Sequence, residues 1–148
     1  MMEKIILPNS ILLGETRELL SEGRQVIIPT KGSSMLPFIH GEKDSVLLEK
    51  VDNLAAGDIV LALIDGKRYV LHRIWEIDGD NVTLMGDGNL AGKERCTKAD
   101  VCGTVSEIIK KNGKKIDVSS AGFRRSSRIW RRLLPVRRYI LAVYRRII

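Results

Sequence analysis

The sequence predicts a mainly β domain of barrel or sandwich type, with a short helix before it and a basic amphipathic helix after it. Three observations predict this. Short β-prone segments recur from Gln25 to Ile108, separated by Gly- and Asp-rich turn signals. Residues 10–22 (SILLGETRELLSE) carry Ile11, Leu12, Leu19 and Leu20 at helical spacing. In residues 123–148 apolar side chains recur in steps of mostly three or four, and arginines fill much of the remainder.

The elements follow in order. The start, MMEKIILPNS, has one short apolar patch, Ile5–Leu7, closed by Pro8, which does not make the apolar region of a signal peptide. Asn9 or Ser10 can cap the first helix, Gly14 weakens its first turn, and Gly23 suits its C-terminal cap. Gln25–Thr30 reads as a strand that is an edge or ends early, because Pro29 has no N–H to donate. Further strands are expected at Ser45–Glu49, Ile59–Ile64, Tyr69–Trp75, Val82–Met85 and Val101–Ile108. Asp65-Gly66 between two of them is a hairpin signal. After Asn112-Gly113 a basic linker is expected, then the terminal helix, kinked or divided at Pro135. The organisation is therefore an N-terminal helical segment over 1–24, a β domain over 25–117, and a basic amphipathic helix over 118–148.

Composition narrows the function classes. A chain of 148 residues with 44% hydrophobic content is too apolar for global disorder and fits one domain with an appendage. Its 25 basic and 18 acidic residues give +7, but the sum hides a split. Residues 1–108 hold 12 basic and 17 acidic residues, and residues 109–148 hold 13 basic and 1 acidic. The body is acidic by five charges, and the tail is basic by twelve. Two cysteines, Cys96 and Cys102, are too few for a disulfide framework or an all-Cys zinc site, and read as reduced structural thiols. With only two histidines as well, no metal and no cofactor is expected. The longest apolar run, Ile59–Ile64, is far short of the ~20 residues that span a bilayer. A cytoplasmic location is expected.

Three pieces carry chemistry. They are Gly32-Ser33-Ser34-Met35-Leu36-Pro37, His72-Arg73 inside an apolar strand pattern, and Gly86-Asp87-Gly88-Asn89 after a strand. Singly, each has an ordinary structural explanation: a solvated loop serine, a satisfied strand histidine and a tight turn. Together they supply a hydroxyl nucleophile, an imidazole whose unperturbed pKa of ~6.5 suits a general base, and a carboxylate to orient it. His40 also follows Ser34, in a segment that reads as loop, and is better explained as a solvated or hydrogen-bonded loop histidine.

The ordered set KGSSMLP, GE-KDSVLLEK, LAAGDIVLA, YVLHRI, LMGDGN and VCGTV resembles the S24/S26 serine peptidases, which include type I signal peptidases and self-cleaving LexA-type repressors. The resemblance runs from about Val26 to Ile108. It implies a signal-peptidase/LexA-like β-barrel-type fold. It also implies Ser34 as nucleophile, His72 as base in the manner of the histidine-type signal peptidases, and Asp87 as the acidic partner. Ser33, Met35 and Pro37 would line the oxyanion and substrate site. Two features depart from the pattern. Gly32 stands where many signal peptidases have a serine that helps bind the oxyanion, leaving backbone N–H groups, that of Ser34 first, with the Ser33 hydroxyl as a further candidate. Lys93-Glu94-Arg95 stands where relatives carry a further Asp, so Glu94 is a candidate substitute.

The tail admits three readings: a helix on anionic lipid, a nucleic-acid-binding arm, or a helix docked on the body or on a second subunit. Its bulky aliphatic face favours lipid over nucleic acid. Arg128, Trp130, Arg131, Arg132, Arg137 and Arg138 are then the expected membrane contacts, and the protein is expected to be peripheral at the inner face of the membrane. The functional expectation is a serine endopeptidase resembling signal peptidases, cleaving a peptide or precursor protein through an acyl-enzyme. The alternatives are a catalytically degenerate peptidase fold used as a binding module at the membrane surface, and a self-cleaving regulator.

Overall fold

Ile59–Ile64 is apolar at nearly every position because both faces of the strand are covered. Ile59 and Leu61 enter one core with Val26, Ile28, Val46, Leu48, Val105 and Ile108. Val60, Ala62 and Ile64 enter another with Ile74, Val82, Leu84 and Val101. The computed structural model describes residues 13–148, and residues 4–6 as backbone. Its strands are β1 (Lys4–Ile6), β2 (Gln25–Pro29), β3 (Ser45–Glu49), β4 (Ile59–Ile64), β5 (Arg68–Asp78), β6 (Asn81–Met85), β7 (Glu94–Thr97), β8 (Val101–Ile109) and β9 (Lys115–Asp117). They form one sheet in the order β1-β2-β3-β8-β4-β5-β6-β7, with β9 on β8. Among the described residues only β1 and β2 pair in parallel. Bulges between Leu47 and Leu48, Leu61 and Ala62, and Ile74 and Glu76 bend the strands, and the sheet curls into a half-barrel.

Most expected strands match to within a few residues. Asp65 and Gly66 both have positive φ, 54° and 66°, as a tight hairpin turn demands, and Lys67 N–H donates to Ile64 C=O across it. Three short strands escape the sequence pattern. β1 and β9 have three residues each and β7 has four, too few for alternation to register. β9 corrects the expected linker: past Asn112-Gly113 the chain turns back and pairs Ile116 with Ile108. The first helix, α1 (Leu13–Ser21), sets its fully buried Leu20 against Gly103 of β8, and Gly23 closes it at φ 87°. The expected caps Asn9 and Ser10 lie outside the described residues.

Pro135 divides the tail. α2 (Ala121–Arg132) starts at Ser120, whose hydroxyl accepts from Phe123 N–H. A 3-10 turn spans Leu134–Val136, and α3 (Arg137–Ile147) follows. Both helices dock on the body through a third cluster, in which Trp130 and Leu141 close over Leu36. This corrects two expected membrane contacts. Trp130 is 6% exposed and donates its indole N–H to Asp87 C=O at 2.8 Å. Arg137 is 2% exposed and donates to the carbonyls of Asn89 and Trp130. The Trp130 indole N–H and both terminal nitrogens of Arg137 find carbonyl partners within the protein, which offsets the cost of burying them; the Arg137 Nε has none. Arg131 stacks over Trp75 and donates to its carbonyl, whereas Arg128, Arg132 and Arg138 are exposed. Among the described residues no helix is long and apolar enough to cross a membrane.

Candidate active site

The loop carrying Gly32–Pro37 is closed at its base by Thr30, whose N–H and hydroxyl both donate to Asp44 C=O, at 3.1 and 2.7 Å. Between these ends, Met35 and Ile39 bury into the main core and Leu36 into the tail cluster. The loop is thus pinned on both sides, with half-buried Ser34 before the pins and Ser33 exposed. The Gly32 N–H donates to the Glu42 carboxylate at 3.2 Å. Pro37 follows a cis peptide bond, and its carbonyl accepts from Tyr144 OH.

β5 supplies the next groups. Successive side chains of a strand point to opposite faces, so His72 and Arg73 cannot share one site. His72 opens into a cleft of about 350 Å³ together with Ser34. Ile28, Pro29 and Thr30 at the end of β2 form one wall, Tyr69–His72 the other, and Met35, Ile39 and Leu61 the apolar floor. Arg73 faces the other side, where a cavity of about 410 Å³ lies under α2. Residues 68–72 pair with β4 on one edge, while β6 begins its pairing only at Arg73. Among the described residues their other edge has no strand partner.

The carboxylate beside His72 is that of Glu94, at the start of β7. Its Oε1 lies 2.7 Å from His72 Nδ1, and its Oε2 is ion-paired with Arg68. The Nδ1 and Oε1 atoms are close without the alignment of a full hydrogen bond. Burial holds the His72 ring below the ordinary histidine value; Glu94 pulls it up and Arg68 pushes it down again. A ring held this way is neutral near pH 7 and able to take a proton.

Asp87 goes elsewhere, which corrects the expectation that it orients His72. Its two oxygens accept from Arg73 Nε and Nη2 at 2.8 and 2.7 Å, a bidentate pair buried on both sides. Arg73 is completed by Gly57 C=O and Ser127 Oγ and sits over the rings of Phe38 and Phe123. The reason is strand alternation: Asp87 lies on the Arg73 face. The turn around it still bears on Ser34, because Gly88 N–H donates to Ser34 C=O at 2.8 Å. A Cβ on Gly86 would lie 2.4 Å from Ser34 O and 3.2 Å from His72 Cδ2, and one on Gly88 2.3 Å from Ser33 O. Glycine is needed at both for close approach.

The tail clamps this turn from outside. Trp130 and Arg137 hold the carbonyls of Asp87 and Asn89, and Arg145 reaches Gly88 C=O. His40 belongs to this clamp and not to the cleft: its Nε2 lies 2.5 Å from Tyr144 OH and its N–H donates to Asp44. Met35 joins the core and the cleft: it packs in the main cluster, its sulfur lies against Asp87 N–H, and it lines the floor beside Ser34. Among the described residues no cluster of three or more His, Cys, Asp or Glu could hold a metal ion. Cys96 and Cys102 are free; burial pushes Cys96 up to about 11 and raises Cys102, so both stay as thiols. One signal in the sequence could have redirected the Asp87 assignment. In a His-Arg pair inside a strand, one carboxylate serves one residue or the other, and an arginine competes best for a bidentate partner.

The Peptidase S24-like family model matches residues 4–108. A LexA repressor from Petrotoga mobilis is 40% identical over 70 residues, which cover 47% of this chain and 34% of that protein. The chain thus spans about a third of the length of this relative.

Proposed function

This chain belongs to the Peptidase S24-like family, and we propose that it is a serine endopeptidase working through Ser34, His72 and Glu94. The observation that carries this reading is the placement of Ser34 and a neutral, carboxylate-backed His72 in one cleft. Ser34 Oγ attacks the scissile carbonyl while His72 Nε2 takes its proton. Glu94 stabilises the imidazolium through Nδ1. The tetrahedral oxyanion is met by backbone N–H groups, that of Ser34 first, since the Gly32 N–H is committed to Glu42. His72 then gives its proton to the departing amine, and an acyl-enzyme on Ser34 remains. Water, deprotonated by His72, attacks the ester and releases the acid product with Ser34 reprotonated.

The substrate is a peptide or precursor protein bound in extended form. The open edge of Arg68–His72 offers main-chain hydrogen bonds for an added strand. The floor of Met35, Ile39 and Leu61 takes the apolar side chains beside the cut. A fluorophosphonate probe tests the reading: it should label the wild type, and Ser34→Ala and His72→Ala should each abolish labelling with the fold intact. An unlabelled wild type, or labelling that survives Ser34→Ala, overturns it in favour of a binding module. The LexA relative favours a second reading, self-cleavage, in which the substrate strand comes from the same chain. A fall in intact mass on incubation, absent in Ser34→Ala, would establish it.

A further inference from the structure

α3 has two apolar faces, and the fold uses one. Arg137, Leu141 and Tyr144 turn inward onto the body. Tyr139, Val143 and Ile147 recur every four residues on the outside and are 66%, 60% and 77% exposed, with Ile140 beside them. A bulky apolar stripe about two and a half turns long on an exposed helix marks an interaction surface. Its border is charged. At 100° per residue Arg146 falls next to Tyr139, and Arg138 follows on the same side. Residues 118–148 contain nine arginines and no acidic residue.

These features select the occupant. A second copy docking through the same face would set arginines against arginines. Nucleic acid would use the charge and leave the aliphatic stripe in water. A layer with anionic headgroups above apolar chains matches both halves of the surface. We propose that the outer stripe of α3, Tyr139, Ile140, Val143 and Ile147, seats in the interfacial layer of an anionic membrane, with Arg138 and Arg146 at the headgroups. Arg138 is retained from the contacts expected from the sequence, whereas Trp130 and Arg137 drop out because they are spent on the body. Arg145, at the edge of the same helix, reaches the carbonyl of Gly88, whose N–H is bonded to Ser34 C=O. Seating therefore keeps the catalytic loop close to the lipid surface.

Co-sedimentation of the full chain with phosphatidylcholine vesicles, with and without phosphatidylglycerol, tests the proposal. Binding should require phosphatidylglycerol and weaken as salt rises. The triple variant Tyr139→Ser, Val143→Ser, Ile147→Ser and the double variant Arg138→Gln, Arg146→Gln should each bind at least about tenfold more weakly. Both alter exposed positions, and in a Trp75→Phe background an unchanged emission maximum of the buried Trp130 verifies that the helices stay docked. Wild-type protein that ignores the vesicles, or binds phosphatidylcholine alone as tightly, overturns the proposal. So does a triple variant that binds like the wild type. Self-association or duplex-oligonucleotide binding lost in the triple variant, without vesicle binding, would assign the stripe to those partners.

Discussion

His72 and Arg73 are neighbours in β5, both buried and both beside a carboxylate, yet they do opposite work. On the Arg73 face the pairing with Asp87 is bidentate and aligned, and further bonds to Gly57 and Ser127 complete the guanidinium. On the His72 face the contact with Glu94 is short but poorly aligned, and Nε2 is left for the cleft. The first arrangement is a closed structural pair. The second keeps a titratable group unsatisfied enough to react. Under the proposed mechanism the difference teaches that the more complete polar contact is the structural one, because a base must be able to exchange its proton.

Substitutions should separate the two faces. The largest effect is expected from Arg73→Leu, which leaves Asp87 buried without its counter-charge. It should cost about 3–5 kcal/mol, read as a lower urea midpoint. A loss below about 1 kcal/mol would show that the pair is not structural. Next comes Gly86→Ala. Its Cβ meets Ser34 O, a backbone atom that cannot swing away, and displaces the nucleophile. Probe labelling should fall by about 10²-fold, and unchanged labelling would mean that the turn does not set the site.

Glu94→Gln should leave the urea midpoint nearly unchanged and lower kcat/KM by about 10²-fold. It also has a pH signature. Burial already holds the His72 pKa below 6.5, so the acid limb of kcat/KM should lie below that value in the wild type. Glu94 raises the pKa, so removing its charge should move the limb to still lower pH. A limb that stays in place would detach Glu94 from His72. The smallest effect is expected from Tyr144→Phe, which removes the hydroxyl that His40 and Pro37 share. It should cost about 1 kcal/mol of stability and leave labelling intact, placing His40 on the structural side.

Much of this molecule is legible in its sequence. Ser34 and His72 announce themselves because a Gly-Ser-Ser-Met loop after a strand and a His-Arg pair in another occur in a recognisable order. Ile59–Ile64 and the Asp65-Gly66 turn are fixed by local rules of burial and φ, and the structure repeats them. Glu94 is harder. It lies in a four-residue strand with a mixed burial pattern, and reaches His72 only because β7 pairs with β6 in the register that sets Glu94 opposite Leu84. The tail shows the same limit. Its period marks it as helical and amphipathic, and Pro135 marks its division, but period alone does not say which of two apolar stripes turns inward.

The sequence by itself determined the β architecture and the charge split between body and tail, and it singled out Ser34 and His72 as the candidate nucleophile and base. All of these rest on local propensity, motif order or counting. Only the tertiary structure decided which carboxylate serves His72, what Asp87 holds, and which side of α3 meets solvent. Those outcomes depend on strand alternation, register and the docking of a helix that is last in the chain, and each joins residues whose proximity exists only after folding.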